Sequence, residues 1–342
     1  MQVVRILVTG GWGYVGVHVV SELKRKNVLI DLCDTGWFLG AHTNLPLNPT
    51  PRDFRSLSVT DLEGVDAIIH LAGLSNDPLG SLHARQTDAL NHQATLALAQ
   101  TAKQAGVSRF IFASTCSVYG ASGATQLDEF SPTAPITPYG EAKRKAELGL
   151  ISMQSAGFSI AILRGATAYG FSACPRSDLL LNEFCTMAAL GRQFALTSDG
   201  ASWRPFMPVD LFAKSLTAAA LAPPELDDGL PIWNIAPPSQ QMTVADAVHR
   251  AAQACGAPPP IFGAHLPADQ RSYRVDGSRF ADAYPSVPYL DDFDAQITHA
   301  VSAFSKLPTL AKDLSEQRFI RLNMLKAFTQ AQDGNAELSN AI

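Results

Sequence analysis

Long apolar runs are missing from this sequence. No uninterrupted stretch approaches the roughly 20 residues that a bilayer-spanning helix needs, and the opening MQVVRILVTGG is broken by Arg5 before it passes into glycines. It reads as a first strand rather than a signal peptide. Cysteine is scarce as well: Cys33, Cys116, Cys174, Cys185 and Cys255 are odd in number and scattered without CxxC spacing. That pattern suits a reducing cytoplasm better than disulfides or structural zinc. The eight histidines include no HExxH pair, so no protein-bound metal is expected. Charge of one sign is nowhere concentrated. Lys and Arg number 26 against 31 Asp and Glu, a formal net charge of -5, which leaves no electrostatic footprint for nucleic acid or an anionic membrane. A small anion can still bind locally.

What remains is an ordinary globular composition. With 46% hydrophobic and 17% charged residues over 342 positions, disorder, collagen and coiled coil are excluded, and the chain can build a large core or two joined lobes. Val3 to Thr9 is a short apolar strand, Tyr14 to Lys26 has helix spacing, and Val28 to Asp34 is apolar again. Alternation continues through Ala67 to Ala72 (strand), Leu82 to Ala105 (helix), Phe110 to Ser114 (strand), Tyr139 to Ala156 (helix) and Ile160 to Leu163 (strand). Repeated strand and helix predict an α/β fold, a Rossmann-type doubly wound parallel sheet covered on both faces. Past residue 170 the regularity fades, which predicts a smaller C-terminal α/β lobe growing from the carboxyl edge of the sheet. The expected division is 1–170 for the domain of the parallel sheet with a return strand near 231–236, 171–310 for an interleaved second lobe, and 311–342 for a terminal helix and loose tail. Gly256 to Pro267 reads as a proline-rich connector, and Arg318 to Gln332 as the terminal helix.

Gly10, Gly13 and Gly16 form a G-x-x-G-x-x-G run between the first strand and the first helix. Glycine permits a tight turn and close approach to a pyrophosphate, whose charge the helix N-terminus stabilises. Asp34, at the end of the second strand, can accept from both adenosine ribose hydroxyls and would repel a 2′-phosphate, which favours NAD over NADP. Thr137-Pro138 starts a helix that places Tyr139 and Lys143 on one face. An ammonium one turn from a phenol stabilises the phenolate and makes it a usable general base. Ser114 and Thr115 end a strand at the same carboxyl edge, so these signals converge on one cleft.

Together, TGGWGYVG (Thr9 to Gly16), Asp34, Asp61, HLAGLS (His70 to Ser75), Asn91, ASTCSVYG (Ala113 to Gly120) and PYGEAK (Pro138 to Lys143) resemble an extended short-chain dehydrogenase/reductase. The group is the nucleotide-sugar epimerase/dehydratase family, and the match covers the first half of the chain. The resemblance implies Thr115, Tyr139 and Lys143 as the catalytic trio. It implies NAD contacts from Gly10, Gly13, Tyr14, Val15, Gly16, Asp34, Ser114 and Tyr139, from Asp61 and Leu62 at the adenine, from Lys143 at the nicotinamide ribose, and from Leu71, Ala72 and Gly73 along the pyrophosphate and ribose, with Asn91 in support. On the substrate side it implies Thr115, Cys116, Ser117, Thr167 and Asn182. Arg204, in SDGASWRPF, and Arg271, in DQRSYRVDGSR, are the implied clamps on a substrate diphosphate, since a guanidinium donates to phosphate in pairs. The chain departs from the family pattern after Arg204 and at Thr167, where asparagine is frequent. A homodimer through the helices near residues 82–105 and 139–156 is also implied.

The shared first step in that family is oxidation: Tyr139 takes a sugar hydroxyl proton while hydride passes to the nicotinamide, with Thr115 holding the oxygen. A 4,6-dehydratase needs an acidic pair directly after the catalytic threonine, and here Cys116 and Ser117 stand instead. Cys116 is either a thiol that exchanges a carbon-bound proton or a small residue that fills space. Epimerisation at C4 needs no further base, so a nucleotide-sugar 4-epimerase is the leading expectation. A dehydratase or reductase of nucleotide sugars, and an NAD(P)-dependent reductase of a non-nucleotide carbonyl compound, stay open. A dinucleotide-sensing protein without chemistry would show a damaged trio, and this trio is complete.

Overall fold

A computed structural model describes residues 3–39, 50–75, 84–121, 126–222, 229–263 and 272–326. The chain opens with β1 (Arg5–Thr9), α1 (Gly16–Lys24) and β2 (Leu29–Cys33), and then crosses to β3 (Ala67–His70). The next helix comes in pieces: α2 (Ala84–Asp88), a π-helical turn (Ala89–Gln93) and α3 (Ala94–Gln104). β4 (Arg109–Thr115), the short β5 (Gln126–Leu127), α4 (Pro138–Met153), β6 (Ser159–Gly165) and β7 (Thr167–Tyr169) follow. Pro138 occupies the first turn of α4 and the Thr137 side chain accepts from Gly140 N at 3.1 Å, so a cap and a proline start this helix where the sequence places them.

Six strands form one parallel sheet in the order β10, β6, β4, β3, β1, β2, where β10 (Ile232–Ile235) arrives late in the chain. Both faces are covered. Ile6, Val8, Ile69 and Leu163 lie in one core cluster with α1, and Leu7, Ile68, Phe110, Phe112 and Ile162 lie in another beneath α3 and α4. Alternate residues of one strand thus feed opposite cores, which is why the strands are apolar throughout. The chain leaves β1 for β2 on one side and β3 on the other. A crevice opens at the carboxyl edge of such a reversal.

Between residues 170 and 326 the sequence predicted little beyond the return strand and the terminal helix, and the described structure is richer. It contains α5 (Leu180–Ala189), β8 (Ala195–Leu196), β9 (Trp203–Pro208), α6 (Val209–Leu221), β11 (Gln241–Thr243), α7 (Val244–Cys255), β12 (Ile261–Phe262) and β13 (Arg274–Val275). α8 (Ser278–Ala283), α9 (Phe293–Ser305) and α10 (Leu310–Ser315) complete it. α6 was hard to read because Val209, Leu211, Phe212, Ala213, Leu216, Thr217, Ala219 and Ala220 are all buried, and only Asp210 and Lys214, ion-paired at 2.9 Å, mark its narrow polar edge. A third core cluster joins Tyr169, Phe184, Phe206, Val248, Phe293 and Phe304. The expected terminal helix is shorter where described, spanning 321–326, and residues 327–332 lie outside the described residues. Among the described residues no helix is long and apolar enough to cross a membrane, and no group of three His, Cys, Asp or Glu could hold a metal ion.

Candidate active site

A cavity of about 540 Å³ runs along the carboxyl edge of the sheet, bounded by Asp34 beyond β2, Gly10 and Gly13 beyond β1, Leu71 to Gly73 beyond β3, Thr115 on β4 and Thr167 beyond β6. At its glycine turn the backbone approaches itself closely. Gly10 has φ of 72°, donates to Cys33 O at 2.8 Å, and a Cβ there would lie 2.7 Å from Ala72 N. A Cβ on Gly16 would lie 2.2 Å from Gly10 O. Only glycine fits either position. Val15, the residue before α1, carries no side-chain cap, which leaves the helix N-terminus to face the cavity.

Asp34 accepts from Trp12 N at 3.1 Å and Gly36 N at 2.9 Å, which fixes its carboxylate in the cavity wall. Burial raises its pKa, against those two amides and the charge of Arg321. Leu71, Ala72 and Gly73 line the wall beside it. Asn91 stands behind them in the π turn: its Oδ1 accepts from Leu74 N and its Nδ2 donates to Leu74 O, both at 2.8 Å. It shapes the loop and is no part of the wall.

Several expected contacts require correction. Asp61 does not line the cavity; its carboxylate turns to Arg52 at 2.7 Å and to Ser58, and these partners hold it below the usual carboxylate range. Leu62 points the other way, into the core with Leu7 and Phe54. Arg52 and Asp53 line that end of the cavity instead. Asn182 is fully buried with its amide engaged on both sides, accepting from Gly170 N at 2.8 Å and donating to the Tyr14 hydroxyl at 3.1 Å. Tyr14 in turn donates to Gly170 O at 2.9 Å, and burial pushes its phenol well above the ordinary value. The pair braces the glycine turn against the residues after β7. Arg271 lies outside the described residues.

At the carboxyl end of β4, Thr115 lines the cavity and accepts from Ser117 N at 3.1 Å. Tyr139, Lys143 and Ser117 share that wall. Lys143 donates to Ala113 O at 2.8 Å and sits 4.4 Å from the centre of the Phe112 ring. Burial lowers its pKa to about 8, opposed by the Glu147 charge. Ser114 also reaches the wall, but its hydroxyl donates to Glu147 at 2.6 Å. Glu147 pairs with Arg164 through two bonds of 3.0 and 2.7 Å, both side chains being almost wholly buried, and Arg164 also donates to the Tyr119 hydroxyl at 2.8 Å. Cys116 is not the substrate contact that the resemblance implies, and of its two readings the space-filling one holds: it is 1% exposed, its Sγ donates to Arg164 O at 3.3 Å, and burial pushes the thiol up. It fills space behind the wall and is no proton exchanger.

On the far wall stand Thr167 and Arg204. Arg204 donates to Trp203 O at 2.9 Å, with its guanidinium 5.5 Å from the Tyr273 ring centre. Three groups went unread in the sequence. Arg176 lines the cavity, donating to Ser75 Oγ at 3.2 Å and pairing with Asp178 at 3.0 and 2.9 Å. Arg321 lines it too. Glu147 could have been found, since it stands one further turn along the helix from Lys143 on the same face. Nothing local marks Arg176 or Arg321.

A backbone cradle that no side chain can enter, a carboxylate suited to a ribose diol, and a phenol with a buried ammonium form a donor set that fits a dinucleotide. The family model described as NAD dependent epimerase/dehydratase matches residues 6–236. The chain belongs to this family. NAD is therefore its cofactor. Within the family it is 32% identical over 240 residues to a UDP-glucose 4-epimerase of Azospirillum brasilense, covering 64% of this chain and 68% of that one. It is 26% identical over 217 residues to the dTDP-D-glucose 4,6-dehydratase of Mus musculus, covering 59% of this chain. The chain spans 61% of the length of that dehydratase. A solved UDP-N-acetylglucosamine 4-epimerase from Methanobrevibacter ruminantium M1 shares the fold with a TM-score of 0.76 at 22% identity, over 89% of this chain and 99% of that one.

Proposed function

We propose that the chain is a nucleotide-sugar 4-epimerase that works through a 4-keto intermediate. The observation that carries this reading is chemical: the position after Thr115 is a buried thiol bonded to a backbone carbonyl, and the next is a serine. Elimination of water across C5 and C6 needs an acid and a base there. Asp178, among the carboxylates in the described wall, is held ionised by Arg176. Inversion at C4 needs only one proton carrier and a pocket in which the sugar can turn. Similarity to a UDP-glucose 4-epimerase supports the same choice.

The glycine turn, Asp34 and Leu71 to Gly73 would hold NAD, which when bound supplies the site that takes the C4 hydride and gives it back. Tyr139 takes the proton of the 4-hydroxyl and later returns it. Lys143, one turn along α4, favours the ionised phenol through its charge, and its bond to Ala113 O fixes where that charge sits. Thr115 holds the reacting oxygen by its hydroxyl. Arg204 grips the substrate diphosphate, the end of the molecule that does not react, so that the keto sugar can rotate without leaving. A homodimer through α2, α3 and α4 completes the reading, and sedimentation at micromolar concentration tests it.

Incubation with UDP-, dTDP-, GDP- and CDP-sugars in deuterated water, followed by NMR, tests the reaction. Inverted C4 without deuterium is the expected product. A 6-deoxy product, or deuterium at C3 or C5, would show enolisation chemistry and overturn it. Absence of a melting shift with any nucleoside diphosphate would favour a non-nucleotide carbonyl substrate.

A further inference from the structure

We propose that Arg321, from the C-terminal segment, is a cofactor-binding residue whose guanidinium donates to the diphosphate of bound NAD. The inference rests on the reading of the cavity as the dinucleotide site and adds a contact outside the sheet edge.

Arg321 is 2% exposed and lines the cavity. A guanidinium carries five N–H donors and cannot shed its charge, so burying one without strong acceptors is costly. The acceptors it finds among the described residues are weak: the Cys174 thiol at 3.0 Å, the Cys174 carbonyl at 3.4 Å and the Met324 thioether at 3.6 Å. The group also lies 4.4 Å from the ring centre of Phe38, another residue of the cavity wall. Asp34 and Asp178 lie near enough to feel its charge, but their oxygens already accept other bonds. Asp34 accepts from two backbone amides, and Asp178 accepts both Arg176 bonds.

The other cations in the wall also have their work. Arg52 pairs with Asp61, Arg176 with Asp178, Lys143 is bonded to Ala113 O, and Arg204 is assigned to the substrate. The glycine turn offers a diphosphate backbone N–H groups but no full positive charge. Arg321 supplies one. Within NAD the diphosphate is the anionic group, and its oxygens are the acceptors that match a planar fork.

The segment that carries Arg321 is anchored on both sides. Phe319 packs in the third core cluster and accepts through its carbonyl from Ser177 N at 3.0 Å, while Leu325 packs in the cluster with Leu7, Cys33 and Phe54. Residues 319–325 therefore tie the β1–β2 side of the sheet to the helical cluster of α5, α7 and α9. A bond from the middle of that tie to the diphosphate would make cofactor release depend on loosening it.

The test compares wild type, Arg321→Met and Arg321→Lys after NAD has been stripped, titrating NAD, ADP-ribose and adenosine, with the melting temperature of each apoprotein measured alongside. Methionine keeps the apolar contacts with Phe38 and Cys174, and lysine keeps the charge. The expected result is a rise of about tenfold or more in the Kd of both NAD and ADP-ribose for Arg321→Met, a smaller rise for Arg321→Lys, and unchanged adenosine binding. Native purification should also yield less NAD per chain for the methionine variant. Equal Kd values for NAD in all three proteins would overturn the assignment. An equal loss for adenosine would also overturn it, by moving the role of Arg321 to the ribose through Asp34. If Arg321→Met melts below the assay temperature, Arg321→Lys decides by the same comparison. Failure of wild type to bind NAD would instead refute the reading of the cavity itself.

Discussion

The two ends of the cavity are built by different means. At the β1–α1 turn the functional groups are backbone amides, and they can approach a ligand only because Gly10 and Gly16 have no side chain to collide with Ala72 N and Gly10 O. At the far wall the functional group is a long side chain, Arg204, held by a backbone carbonyl of its own strand and facing the Tyr273 ring. A backbone site tolerates almost no change at its glycines, because other backbone packs directly against them. A side-chain site depends on what happens to pack behind it. The proposed catalytic pair lies between these extremes, with Tyr139 and Lys143 spaced by helix geometry yet Lys143 tuned by burial.

Four variants test that contrast. The largest effect is expected from Tyr139→Phe, which should lower kcat by roughly 10²–10⁴-fold while NAD and nucleoside diphosphate binding persist, measured by coupled assay and thermal shift. Full turnover in that variant would remove the catalytic pair from the account. Gly16→Ala comes next: relieving the clash with Gly10 O should cost about 1–3 kcal/mol, read as a weakened Kd for NAD with binding of the nucleoside diphosphate retained. Loss of both ligands together would mean that the two ends are not independent. Arg204→Met should raise KM for the nucleotide sugar by about tenfold and leave NAD affinity unchanged, since it withdraws a grip felt equally before and during reaction. An unchanged KM would leave the diphosphate without its clamp.

The smallest effect is a dependence on pH. Burial depresses Lys143 from 10.5 to about 8, so between those values the unfolded chain binds more protons than the folded one. The contribution of this group to stability therefore rises with pH across that window. Urea titrations should show the stability of wild type relative to Lys143→Met increasing from pH 8 to 10.5 and staying level below 8. A difference that is flat throughout would mean that the ammonium is not desolvated as the geometry requires.

How much of this was legible follows from the same contrast. The G-x-x-G-x-x-G turn, Asp34 and the Tyr139–Lys143 spacing could be read directly, because each expresses a local rule: a glycine where no Cβ fits, an acid at a strand end, two residues one helical turn apart. Asn182 was misread because its residue type suits a ligand contact, and only the fold shows that Tyr14 and Gly170 already occupy its amide. Asp61 was misread for a similar reason, since Arg52, from the preceding loop, already occupies its carboxylate. α6 hid in plain composition because most of its surface is buried and only Asp210 and Lys214 give it a polar edge.

The sequence by itself determined the parallel sheet, the glycine turn after β1 and the Tyr139–Lys143 spacing, because periodicity and glycine placement act over a few residues. Tertiary structure alone decided which carboxylates face the cavity, where Glu147 meets Arg164, and that Arg321 lines the cavity from the end of the described chain. Those outcomes depend on burial and on contacts between segments up to hundreds of residues apart, and such contacts leave no pattern along the chain.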